Sequence, residues 1–212
     1  TTEIYTLSLH DALPISPASR VAFISGGIQL ACGFSDGRVY IVDINKQMIT
    51  TIFRAHAGPI TAITSNDAGD TFATADETGV IRVWNVKTLK ELSSLTGHTK
   101  KVIALAFRPN RSMIASQSLD GSVRLWQYDS NDKSLIASIP ALRDNYGASL
   151  SFYGNGDRLS CFDNSNSIRI WRLEGWDLES ETNLPSDPSS LLKLVEIYYP
   201  MFESDKLVSI NN

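Results

Sequence analysis

A pattern that recurs every 42 to 45 residues constrains the fold of this 212-residue chain more than any other feature. Trp126 is preceded by Trp84 at a separation of 42 residues and followed by Trp171 at a separation of 45 residues. His98 follows His56 at the same separation of 42 residues. Self-similarity at a fixed period indicates an architecture of repeated units, each of which packs against its neighbours.

The stretch between Gly97 and Gln127 contains the clearest copy of the repeated unit. Its apolar and alternating segments predict three short strands, at Val102 to Phe107, Met113 to Ser118 and Ser122 to Gln127. Asp120-Gly121 predicts a tight turn before the third strand, because glycine adopts positive φ without penalty. Units of about 40 to 45 residues with four short strands are typical of propeller blades, so we expect an all-β fold.

On these residues the chain resembles the WD40-repeat β-propeller family, over about residues 20 to 173. The resemblance implies about four blades that form an open arc, followed by a C-terminal loop. The blades are expected at about 20–53, 56–95, 98–139 and 146–173, within a repeat region of 17–175 that precedes a linker and tail at 176–212.

The resemblance also implies a buried hydrogen-bonded set in each blade, formed by a His, a Ser or Thr, a turn Asp and a Trp. It assigns these roles to His98, Ser116, Asp120 and Trp126 in the third blade, to His56, Thr74 and Trp84 in the second, and to Trp171 in the fourth. Thr78 stands where the turn Asp of the second blade is expected. We therefore expect this blade to be held less firmly, because a hydroxyl is a weaker acceptor than a carboxylate.

The first 16 residues do not resemble the rest of the chain. Residues 1–15 resemble one reading frame of a sequencing adapter, translated end to end. Segments of such origin are excluded from reasoning about the fold, so we expect 1–16 to be non-native and the natural N-terminus to be missing. The alternative is a genuine N-terminal strand at Ile4 to Leu9.

The C-terminal segment permits two interpretations. Asp187-Pro188 is a favourable helix start, and the apolar residues Leu191, Leu194, Val195 and Tyr198 then follow at helical spacing. This pattern favours a short helix that ends before Pro200. The alternative is the outer strand of the fourth blade, at Leu192 to Tyr199.

Composition and motifs exclude several function classes. The net charge of −4 gives no general attraction to nucleic acid or to an anionic membrane. Cys32 and Cys161 lack the spacing of a metal site, no phosphate-binding loop is present, and no apolar run is long enough for a membrane helix. We expect no catalytic residue, no metal and no cofactor, and a cytoplasmic location.

The family resemblance places the loops before the first strand of each blade on one face of the disc. That face would carry Lys100, Lys101, Arg143 and Tyr146, which are the candidate partner-binding residues, since loops on rigid scaffolds carry function. The alternative is that they form ordinary exposed loops. The predicted function is a non-catalytic scaffold for other proteins or peptides, which could include other domains of its own full-length chain. The alternative is the sensor arm of a longer signalling enzyme, such as a nucleotidase, kinase or protease.

Overall fold

The computed structural model describes residues 18–129, 135–140, 149–163, 167–173 and 196–200. Within these ranges the chain forms sixteen strands, arranged as four antiparallel sheets of four strands each. The expected all-β fold of about four blades is confirmed, and the sheets are called blades 1 to 4 in chain order. The predictions for residues 1–16 lie outside the described residues. No helix in the described part of the chain is long and apolar enough to cross a membrane.

The strands follow the chain from the inner to the outer edge of each blade. Blade 1 contains β1 (Ala18–Ile24), β2 (Gln29–Phe34), β3 (Arg38–Asp43) and β4 (Met48–Arg54). Blade 2 contains β5 (Ile60–Ser65), β6 (Thr71–Asp76), β7 (Ile81–Asn85) and β8 (Glu91–Leu95). Blade 3 contains β9 (Val102–Phe107), β10 (Met113–Ser118), β11 (Ser122–Gln127) and β12 (Leu135–Pro140). Blade 4 contains β13 (Leu150–Tyr153), β14 (Arg158–Asp163), β15 (Ser167–Arg172) and β16 (Glu196–Pro200).

Glycines form the tight turn between the second and third strands of three blades. Gly37, Gly79 and Gly121 have φ values of 84°, 95° and 86°, a region that side chains other than glycine adopt at a cost. Each donates its backbone N–H to a carbonyl three residues earlier, at 3.1 to 3.4 Å. The turns hold the two central strands of blades 1 to 3 in register.

The hydrophobic core lies between successive blades. Trp84 packs in a cluster with residues of blades 1 and 2, Trp126 in a cluster of blades 2 and 3, and Trp171 in a cluster of blades 3 and 4. The preceding blade offers small or β-branched side chains to each tryptophan, such as Ala31 and Val39 in blade 1. The repeated tryptophan is therefore buried because it fills the space that these side chains leave.

Hydroxyl groups join the inner strands of neighbouring blades. Ser19 Oγ donates to the carbonyl oxygen of Ile60 at 2.6 Å, and Thr61 Oγ1 donates to that of Val102 at 2.6 Å. The inner strands β1, β5, β9 and β13 contact one another in this order, and the four blades do not close into a ring in the described ranges. The expected open arc is confirmed.

The C-terminal strand corrects one expectation. Residues 196–200 form β16, which pairs antiparallel with β15, so the expected helix is wrong at these positions and the alternative outer strand is correct there. The free edge of β15 offers backbone partners along its length, and a strand satisfies them while a helix does not. Blade 4 thus takes its outer strand from the segment that was expected to be a linker and tail. Residues 191–195 lie outside the described residues.

Candidate functional site

The polar set of blade 3 is a continuous chain of hydrogen bonds. Trp126 Nε1 donates to Ser116 Oγ at 2.7 Å, and Ser116 Oγ lies 2.7 Å from His98 Nε2. His98 Nδ1 lies 2.8 Å from Asp120 Oδ2. Ser116 accepts from the indole and donates its own hydrogen to Nε2, so these partners assign the imidazole proton to Nδ1. The set joins the loop before β9 to the second and third strands of the blade.

Burial and hydrogen bonding fix the charges in this set. Burial lowers the pKa of His98, although the Asp120 carboxylate opposes the shift. Burial alone would raise the pKa of Asp120, but hydrogen bonds from Ser122, His98 and the backbone N–H of Thr99 outweigh it and bring the pKa to about 2. At neutral pH the pair is therefore a neutral imidazole and a carboxylate.

Blade 2 contains an equivalent set, and it is complete. His56 Nε2 lies 2.8 Å from Thr74 Oγ1, which also accepts from Trp84 Nε1 at 2.9 Å. His56 Nδ1 lies 3.1 Å from Asp76 Oδ2. The expectation that Thr78 leaves this blade without a turn carboxylate is therefore wrong.

Asp76 replaces the missing carboxylate from a position two residues earlier. Its Oδ1 atom accepts from the backbone N–H groups of Thr78, at 2.9 Å, and Val80, at 3.1 Å, so one carboxylate holds both the turn and the histidine. The sequence signal was present, because Asp76 and Thr78 belong to the same Asp-Glu-Thr-Gly segment. It was missed because the carboxylate was expected at a fixed spacing from the glycine.

These sets have no group left over for chemistry. The hydroxyls of Ser116 and Thr74 are fully buried, and each is already bonded to a tryptophan and a histidine. In the described part of the chain, no group of three or more His, Cys, Asp or Glu residues could hold a metal ion. The arrangement is structural, because it fixes the loops that lead into blades 2 and 3.

The two cysteines occupy the position of this hydroxyl in the other blades. Cys32 pairs with Tyr40 in blade 1 and Cys161 with Arg169 in blade 4, as Ser116 pairs with Arg124 in blade 3. Both cysteines are buried thiols, and burial raises the pKa of Cys32. A thiol at this position packs as a small apolar group.

The loop that carries Lys100 and Lys101 is held by its backbone. Ser118 Oγ donates to the carbonyl oxygen of Lys100, and the backbone N–H of Leu119 donates to that of Lys101, both at 2.9 Å. Both lysines are exposed, so the loop presents two positive charges from a fixed backbone. Arg143 and Tyr146 lie outside the described residues.

Comparisons with known proteins agree with this architecture. The family model for the WD domain, G-beta repeat, matches residues 47–85 and 89–127. Each match begins on the outer strand of one blade and ends on the third strand of the next, so the sequence repeat is offset from the sheet by one strand.

Three relatives illustrate the similarity. U3 small nucleolar RNA-associated protein 21 of Saccharomyces cerevisiae is 32% identical over 143 residues, which is 67% of this chain and 15% of that protein. Protein transport protein sec13 of Emericella nidulans is 27% identical over 194 residues, 81% of this chain and 62% of that protein. Target of rapamycin complex subunit wat1 of Schizosaccharomyces pombe is 26% identical over 143 residues, 68% of this chain and 45% of that protein. The chain therefore spans less than two thirds of each of these relatives. The strand order, the two complete polar sets and the matched repeats together establish that the chain belongs to the WD40-repeat family.

Proposed function

We propose that this chain is a non-catalytic scaffold that binds other proteins or peptides. The observation that carries the proposal is that both described histidines, His56 and His98, are buried and hydrogen-bonded so that they hold loops in place. Loops whose backbone is held by buried polar groups have a fixed position, so they are suited to bind a partner. The names of two relatives support the proposal, since one is a complex subunit and the other is a protein transport protein. The cytoplasmic location stays a prediction.

The loop between β8 and β9 is the first surface to test. Lys100 and Lys101 are exposed, while their backbone carbonyls are tied to the turn between β10 and β11. A fixed backbone lowers the entropy that is lost when a partner binds. Two adjacent positive charges favour a partner with an acidic patch, and they would act mainly on the association rate.

The test is quantitative affinity purification from cells that express the tagged chain. The variant is Lys100→Glu combined with Lys101→Glu. The matched control is Lys46→Glu combined with Lys90→Glu, which reverses two exposed lysines at the opposite end of the blades. We expect at least one protein to be recovered about tenfold less with the first variant and unchanged with the control. Equal recovery of every protein with both variants, with circular dichroism showing folded chains, would contradict the proposal.

A further inference from the structure

A cleft of about 700 Å³ lies between blades 1 and 2, at the end of the blades opposite the Lys100 loop. Ile41 and Thr51 of blade 1 line one side, and Asp70 and Val86 of blade 2 line the other. The volume is in the range of about 300 to 1,000 Å³ that is common for binding sites. The lining combines apolar side chains with a carboxylate, so the cleft can hold a side chain that has an apolar body and a polar tip.

The next junction along the chain explains why this space is open. The backbone N–H of Val86 donates to the carbonyl oxygen of Asp70 at 2.8 Å, and 42 residues later the N–H of Tyr128 donates to that of Ser112 at 3.1 Å. Val86 and Tyr128 therefore occupy equivalent positions, as do Asp70 and Ser112.

Tyr128 fills the equivalent position between blades 2 and 3 with its own ring. The ring packs against the hydrophobic cluster between these blades and lies edge-on to Phe107, with 5.5 Å between the ring centroids. Burial raises the pKa of the Tyr128 hydroxyl, the negative charges of Asp129 and Asp70 raise it further, and a hydrogen bond with the side chain of Ser112 partly opposes the shift. Between blades 1 and 2 the shorter Val86 replaces the ring, and Gly69 replaces the long side chain of Arg111.

The polar group of the cleft is suited to a phenol. Asp70 Oδ1 accepts from Asn66 Nδ2 at 2.8 Å and from Thr71 Oγ1 at 3.0 Å. The hydrogen bond from Asn66, followed by that from Thr71, lowers the pKa of Asp70, so the group is a carboxylate at neutral pH. Both bonds end on Oδ1, and Asp70 is exposed, so Oδ2 is open to a ligand. A carboxylate oxygen is a strong acceptor for an O–H group.

We propose that this cleft binds the tyrosine side chain of a short segment of a partner protein. The ring takes the place that Tyr128 fills at the next junction, and the phenol hydroxyl donates a hydrogen bond to Asp70. The inference rests on the proposed function, because it assumes a protein partner. It also defines a specificity: phenylalanine lacks the hydroxyl, and phosphotyrosine brings a second negative charge against Asp70.

The experiment titrates the ¹⁵N-labelled 212-residue chain with N-acetyl-L-tyrosine amide and follows amide chemical shifts. Controls are the phenylalanine amide and the O-phosphotyrosine amide. A ligand of this size is expected to bind with a Kd of about 1 mM. We expect saturable shifts at the cleft with tyrosine, at least fivefold weaker binding of phenylalanine, and no binding of phosphotyrosine.

Two variants test the site itself. Val86→Tyr places in blade 2 the residue that blade 3 has, so it should abolish tyrosine binding, whereas Lys90→Tyr on the same turn adds a ring outside the cleft and should leave binding unchanged. Asp70→Ser restores the residue of blade 3 and should reduce the preference for tyrosine over phenylalanine to less than twofold, a result that does not depend on Val86→Tyr folding. Absence of saturable shifts, or shifts that persist unchanged in folded Val86→Tyr, would overturn the proposal. If partners are still lost on reversal of Lys100 and Lys101, the scaffold function survives that failure.

Discussion

Replacing Ser116 by alanine tests the polar set of blade 3 directly. The hydroxyl of Ser116 is fully buried and makes two hydrogen bonds of 2.7 Å, to Trp126 Nε1 and His98 Nε2. Its removal leaves a buried donor and a buried nitrogen acceptor without a partner, and each such group costs about 1 to 3 kcal/mol. We therefore expect Ser116→Ala to lower the free energy of unfolding by about 2 to 6 kcal/mol. Domains of this kind are stable by about 5 to 15 kcal/mol, so the loss is a large share of the total.

The assay is urea unfolding, followed by tryptophan fluorescence and circular dichroism. Ser138→Ala is the matched control, because Ser138 is exposed on the outer strand of the same blade and should change stability by less than about 0.5 kcal/mol. In a Trp126→Phe background the indole donor is absent, so Ser116→Ala should cost measurably less than in the native chain. A cost for Ser116→Ala equal to that of Ser138→Ala would refute this account of the polar set.

Three further predictions use the same unfolding assay. Gly79→Ala should lower the free energy of unfolding by about 2 to 4 kcal/mol, because φ is 95° and the new Cβ would lie 2.5 Å from a backbone carbonyl oxygen of blade 3. Gly26 has a φ of 63° and no atom within 4 Å of the new Cβ, so Gly26→Ala should lower it by only about 1 kcal/mol. Equal losses for the two variants would contradict the close contact at Gly79. Asp76→Ala should lower the free energy of unfolding by at least about 2 kcal/mol, because Asp76 bonds both the histidine and the turn, whereas Thr78→Ala should lower it by under about 1 kcal/mol. A larger loss for Thr78→Ala would show that Thr78, as expected from the sequence, holds this turn. Burial lowers the pKa of both buried histidines from an ordinary value of 6.5, so protons bind the unfolded chain more tightly than the folded one. The stability that these histidines contribute is present above pH 6.5 and is lost as the pH falls below that value. The free energy of unfolding should fall by up to about 1.4 kcal/mol per pH unit for each histidine. A urea midpoint that stays constant between about pH 7.5 and about pH 5 would contradict this.

The sequence predicted the central strands of each blade because local chemistry and tertiary packing agree there. Alternating apolar residues fix the strands, and a glycine such as Gly121 fixes the turn, so both follow from the residues alone. The outer strand of blade 4 was predicted only as the alternative to a helix, for the opposite reason. The apolar residues around Tyr198 fit a helix as well as a strand, and pairing with β15, which is distant in sequence, decides between them.

The polar sets and the cleft depend on geometry to different degrees. His98 and Ser116 could be assigned from the repeat, because their spacing is the same in blades 2 and 3. Asp76 could not be assigned from the repeat, because it lies two residues before the expected position at Thr78 and reaches the same nitrogen of the histidine from a different point of the turn. The cleft could not be predicted from the sequence, because it depends on how the small side chain of Val86 and the ring of Tyr128 pack at their equivalent positions in three dimensions.

The one-strand offset between the repeat and the sheet has a consequence for how such a chain can change length. A segment such as 48–89 includes the outer strand of blade 1 and the three inner strands of blade 2. Excision of these residues would join β3 to β8, which then completes blade 1 as its new outer strand. No sheet gains an unpaired edge in this exchange, because β8 takes the place of β4 beside β3. Whole repeats can therefore be added to or removed from the array as modules, with every strand retaining a partner on the same side.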